Sequence, residues 1–209
     1  ATGAHDVWVL AGALLSHTER LKLLVAIHPG LIAPTLLAKM AATLQEFSRG
    51  RLLINVVSGD AKMLGAYGMT MPHDERYDMA DEYLQIWHRL FAGETVDFKG
   101  QYFQTQGAKL ALPVGQGIEP PPLWFGGSSE KAIDVAAKHV ETYLSWGETP
   151  EQIGAKVDLV KARAEKLGRE LEYGIRLYVI VRDTDEEAWA AAADLYGRMD
   201  EAAIAANQR

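Results

Sequence analysis

Residues 124–129, WFGGSS, set two glycines and two serines where a short apolar run gives way to helix-forming sequence. Glycine lets the backbone turn tightly and leaves amide N–H groups open, and serines at the start of a helix add hydroxyl donors. Loose amides and hydroxyls at the positive end of a helix form an anion site, suited to phosphate. These six residues alone read equally well as a plain turn with Ser as N-cap. The segment is neither a Walker A sequence nor a GxGxxG fingerprint.

Other residues carry chemistry of the same kind. In PHDERYD at 72–78 the acids suit a helix N-terminus, and Tyr77 either donates its hydroxyl to a phosphate or packs as an amphipathic ring. In GIRLYVIV the period of two puts Arg176 and Tyr178 on one strand face. A guanidinium buried in such a strand needs an acidic neighbour or an anionic ligand, and its fork of donors matches carboxylate, phosphate or sulfonate. Asn55 and Ser58 end the run LLINVVSG, where a barrel keeps its active face. Trp124 and Trp146 read as core or as cofactor platforms. Six histidines, His5, His28 and His73 among them, show no metal-ligand spacing, so no metal is expected.

The elements that must position these residues alternate. A helix from Asp6 to about His17 with Asp6 as N-cap precedes a buried strand over 21–27. A second helix over 34–47 stops at Gly50 before the strand 52–57, and 58–72 reads as a glycine-containing loop. A long amphipathic helix over 74–91 and a hairpin over 95–104, turning at Lys99-Gly100, come next. After the EPPP connector at 119–122 follow the strand LWF, a helix over 129–139, the strand TYLSW and a helix from Pro150 to Leu167. A strand over 173–181 and a helix from about Asp185 finish the series.

Five apolar strands, each followed by a helix, predict a parallel sheet covered by helices. A closed barrel and an open doubly wound sheet both satisfy the pattern. Five strands fall short of a complete eight-stranded barrel, so a barrel here would lack strands at both ends.

Composition excludes several classes. The 209 residues are 48% hydrophobic and carry a formal charge of -7, which argues against a nucleic-acid partner. Without cysteine there are no disulfides, thiol nucleophiles or Cys-based zinc sites. No apolar run is long enough to span a bilayer, and a cytoplasmic location with no membrane partner is the expectation.

Taken in order, residues 26–60, 73–103, 120–153 and 173–189, with ERYD, FGGSS, WGE and GIRL in sequence, closely resemble the alkanesulfonate monooxygenase branch of the bacterial luciferase-like flavin proteins. The resemblance covers essentially the whole chain. It implies an α/β fold, a TIM (β/α)8 barrel of the luciferase-like type, with residues 1–209 forming a single domain truncated at both ends. It also implies FMN as cofactor, used as FMNH2 delivered by an NAD(P)H-dependent FMN reductase. With O2 the enzyme would cleave the C–S bond of a small anionic organosulfur substrate, giving aldehyde and sulfite. The assembly implied is a homo-oligomer. Carried over by residue, Tyr77, Gly127, Ser128 and Ser129 would hold the FMN phosphate, and Asn55 and Ser58 would lie near the flavin. Trp146 and His28 would line the substrate pocket. Arg176 would clamp the sulfonate, with Tyr178 beside it as the second catalytic residue.

The chain departs from that branch at three places. Tyr178 stands where a His is usual, Ala4 where a Cys is usual, and His28 where an Arg is usual. These departures leave open a sister oxygenase for sulfones, a deazaflavin-dependent oxidoreductase, and a non-catalytic flavin-binding relative.

Overall fold

The computed structural model describes residues 5–59, 61–111 and 119–200. The chain forms two compact units, Ala1–Ile175 and Arg176–Arg209.

In the first unit, Asp6 caps α1 (Val7–His17) as expected, its carboxylate accepting from the amides of Trp8 and Val9 at 3.0 and 2.9 Å. Strand β1 (Leu23–Ile27) leads to α2 (Pro34–Ser48), which has Pro in its first turn. That helix stops where Arg49 and Gly50 both take positive φ, 56° and 83°. After β2 (Leu52–Val56) the loop expected over 58–72 contains a short helix, α3 (Ala61–Ala66). The residues AKMLGA favour a helical turn, Leu64 gives it one buried anchor, and Gly68 ends it at φ 81°. A six-residue helix is too short to announce itself by periodicity.

Helix α4 (His73–Phe91) is the longest element and buries one face almost completely, Tyr83, Leu84, Ile86 and Trp87 included. The hairpin β3 (Val96–Lys99) and β4 (Gln104–Ala108) is an antiparallel insertion. Glu82 of α4 fastens it by accepting from the amides of Gln101, Tyr102 and Phe103 at 2.7, 2.9 and 3.1 Å. The series continues through β5 (Leu123–Phe125), α5 (Glu130–His139), β6 (Thr142–Trp146), α6 (Pro150–Lys166) and β7 (Glu172–Arg176).

The main sheet runs β1-β2-β5-β6-β7, and the strands from β1 through β6 pair in parallel. Helices α1, α2, α4, α5 and α6 each pack on the next, forming one row. A doubly wound sheet reverses its strand order and covers both faces with helices. Strand order without reversal and a single helix row belong to the wall of a (β/α) barrel, which decides between the two architectures that the sequence leaves open.

Alternation along the strands separates two faces. Ile27, Val56, Phe125 and Tyr143 form one register row that is buried, and Ile54 and Leu123 lie in the same layer against the helices. The adjacent row is Ala26, Asn55, Trp124 and Thr142. Asn55 and Trp124 are only partly buried on this second face.

The strand expected over 173–181 is shorter, and only its last residue, Arg176, belongs to the second unit. Ladder structure ends at Arg176, and residues 177–181 are exposed without strand pairing among the described residues. The sheet neighbour of β7 is β6, which ends at Trp146, and the apolar sequence beyond Arg176 carries no local signal of that. Helix α7 (Asp185–Gly197) is capped by Thr184, whose hydroxyl accepts from the amide of Glu187 at 3.2 Å.

Candidate active site

The C-terminal ends of β2 and β5 bring several of the sequence-selected residues together. Ser58 follows β2, Tyr77 is the fifth residue of α4, and the GGSS segment joins β5 to α5. The hydroxyl of Ser58 donates to that of Tyr77 at 3.2 Å. A Cβ placed on Gly127 would lie 3.8 Å from the Tyr77 hydroxyl, so that hydroxyl looks directly onto the turn. The Tyr77 ring is 5% exposed and meets Phe125 and His73 edge-on, with centroids 6.3 and 5.0 Å apart. The packing reading of Tyr77 therefore holds, and its hydroxyl faces the turn.

The glycines of the turn are required for a different reason from the one the sequence suggests. Neither Gly126 nor Gly127 has positive φ. A Cβ on Gly126 would drive into the carbonyl oxygen of Leu144 in β6, and one on Gly127 would stand 2.6 Å from the Ala132 Cβ. Close backbone approach, between strands and onto the first turn of α5, is what excludes side chains here.

Ser129 is the N-cap of α5, its hydroxyl accepting from the Ala132 amide at 3.3 Å. Ser128 precedes it, outside the helix rather than in the first turn. A capping hydroxyl still has its own proton to give, so the cap and the anion site are compatible. Tyr143, which sequence reasoning passed over, braces the turn by donating to the Gly127 carbonyl at 2.7 Å, and burial pushes its hydroxyl pKa up. Its role follows from the Phe125–Tyr143 register, a pairing between strands that no local pattern in TYLSW reveals.

Around this cradle the remaining selected residues separate. Asn55 pairs in register with Trp124 on the open sheet face, and Trp146 ends β6 at 58% exposure. Trp146 is thus no core residue in this chain. His28 follows β1, its Nδ1 3.0 Å from the Val57 carbonyl. A carbonyl oxygen only accepts, so Nδ1 carries the proton. Gly59, at φ 70°, leaves that ring its space, since a Cβ there would be 3.0 Å from Nδ1.

Arg176 and Tyr178 belong to the second unit. The guanidinium carbon lies 5.9 Å from the Tyr178 ring centroid, a cation–π distance consistent with their shared side. The expectation of a buried guanidinium in mid-strand is corrected, for Arg176 is exposed at the end of β7 and Tyr178 is 86% exposed beyond it. Ala4 lies outside the described residues. Among the described residues no group of three or more His, Asp or Glu could hold a metal ion, and no helix is long and apolar enough to cross a membrane.

The Tyr77 hydroxyl, which accepts from Ser58 and keeps its own proton, and the Ser129 hydroxyl, with the amides opening α5 and Ser128 next in sequence, are neutral hydrogen-bond donors at this turn. That chemistry fits a phosphate, whose oxygens only accept. A barrel wall with an anion cradle at its C-terminal edge is the arrangement of a phosphate-bearing cofactor or substrate enzyme. The family model described as luciferase-like monooxygenase matches residues 1–209, and the chain belongs to that family.

Solved structures agree. The chain superposes on a riboflavin lyase (RcaE), solved with modified FMN and riboflavin, at TM-score 0.82 and 26% identity, covering 91% of this chain and 48% of that one. Long-chain alkane monooxygenase (LadA) gives 0.80 and 28%, covering 90% and 50%. DmoA from Hyphomicrobium sulfonivorans gives 0.79 and 25%, covering 92% and 47%. The chain spans about half the length of these structures.

Proposed function

We propose that the protein is an FMNH2-dependent alkanesulfonate monooxygenase, supplied with reduced flavin by an NAD(P)H-dependent FMN reductase. The observation that carries the flavin part is the Ser58–Tyr77 hydroxyl pair facing the Gly127–Ser129 turn. FMN, when bound, supplies the oxygen chemistry. The chain's own groups bind and orient. Tyr77, Ser128 and Ser129 hold the phosphate, and Tyr143 fixes the carbonyl side of the turn so that its amides keep their direction. Asn55 and Trp124 line the open sheet face toward the barrel interior, where flavin and substrate meet out of bulk water.

Sulfonate is the substrate class that a guanidinium at Arg176 suits, through paired N–H donors to tetrahedral oxygens. The resemblance of ERYD, FGGSS, WGE and GIRL to the alkanesulfonate branch supports the same choice. The test is sulfite release from a panel of alkanesulfonates by the complete protein with a flavin reductase and NADH. Sulfite formed in step with NADH oxidation is the expected result. No sulfite at any chain length overturns the substrate assignment, and binding of deazaflavin F420 in preference to reduced FMN overturns the cofactor.

A further inference from the structure

We propose that a cleft beside His28 holds the apolar chain of the substrate, and that α3 sets the longest chain it accepts. The cleft has a volume of about 550 Å³ and is walled by Trp8, Leu31, Ile32, Leu37, Met63 and Tyr67. These come from α1, the β1–α2 connection, α2 and the neighbourhood of α3. The volume falls within the range of small-molecule sites, and aliphatic, thioether and aromatic walls suit a flexible hydrocarbon. Besides the tyrosines its polar lining residues are His5, Asp6 and His28, with no Lys or Arg among them, so the apolar stretch takes the tail of an anionic substrate and leaves the head outside.

Its place relative to the cradle supports this use. His28 lines the cleft, and its ring meets Val57 and Gly59, the two residues that flank Ser58 of the hydroxyl pair. The Val57 carbonyl and the space left by Gly59 fix the His28 ring, while Ser58 between them bonds Tyr77. A chain lying in the cleft would therefore bring its head to the end of β1, next to the proposed flavin site. Met63 and Tyr67 stand on or just beyond the six-residue α3, and Tyr67 is 65% exposed. Enlarging or trimming them changes the cleft without touching the cradle. The inference rests on the flavin reading for its reaction but not for its binding.

The experiment measures affinity by calorimetry for two series, n-alkanesulfonates and n-alkanols from four to eight carbons, using the complete protein. Affinity should rise about fourfold per methylene until the cleft is filled. Met63→Trp should move that limit to shorter chains and Tyr67→Ala to longer ones, with FMN affinity unchanged in both. Affinity independent of chain length, or a limit that neither variant moves, overturns the proposal. Alkanols binding with length dependence while sulfonates do not bind would keep the cleft and remove the sulfonate assignment. Wild-type protein that binds both series but no FMN would remove the flavin reading alone.

Discussion

Tyr77→Phe isolates one hydroxyl. The ring is buried against Phe125 and His73, and phenylalanine keeps those edge contacts and the apolar area. In the protein alone the change removes the 3.2 Å bond with Ser58, a net loss of about 0.5 to 1.5 kcal/mol. With FMN bound, a hydrogen bond to a charged phosphate is lost as well, about 1.5 to 3 kcal/mol, or roughly ten- to 150-fold in Kd. Riboflavin, which has no phosphate, serves as the internal control. Fluorescence titration of both flavins should show FMN binding weakened by that factor and riboflavin binding nearly unchanged. Equal weakening of the two would mean that Tyr77 shapes the pocket without touching the phosphate, and the assignment would fail.

Three further perturbations follow from the geometry. Ser129→Ala should cost about 1 kcal/mol of stability through the lost cap and weaken FMN by about 1.5 to 3 kcal/mol, so an unchanged FMN Kd contradicts the cradle. Arg176→Ala, at an exposed position, should leave the melting temperature close to wild type and abolish sulfonate turnover; wild-type turnover places the clamp elsewhere. The third concerns acid.

His88 of α4 stacks on His139 at the end of α5, rings 5.4 Å apart, and burial holds the His88 pKa down at about 4. A depressed histidine pKa means the unfolded chain takes the proton more readily. The contribution is thus fully present above about pH 6.5 and is lost as pH falls toward 4, by about 3 kcal/mol. His139 is lowered by burial too, against the opposing pull of Asp81 at 2.8 Å. Melting temperatures from pH 7 to 4.5 should fall more steeply for wild type than for His88→Phe, and parallel curves would refute the assignment.

Much of the architecture is legible in local sequence because its signals are local. Asp6 reads as a cap two and three residues before the amides it accepts from, and Gly50 stops α2 in the left-handed region. Apolar strands alternating with amphipathic helices specify the parallel sheet. What sequence leaves open depends on pairing at a distance. Strand order, which separates barrel from doubly wound sheet, is a property of the whole sheet. Strand β7 ends at Arg176 where its neighbour β6 ends at Trp146, and the apolar run to Val181 carries no signal of that. In the site, Tyr77 and Ser129 were visible as residue types at helix starts. Tyr143 was not, since its hydroxyl reaches a carbonyl 16 residues away across a strand pair. Gly126 was visible for the wrong reason, because the Leu144 carbonyl that excludes its side chain lies on another strand.

The central claim is that GGSS and Tyr77 together hold the phosphate of FMN. A crystal structure of the complete protein with FMN tests it most directly. The phosphate oxygens should lie within about 3 Å of the Tyr77 hydroxyl and of the Ser128 or Ser129 donors. FMN bound with its phosphate away from this turn would contradict the account.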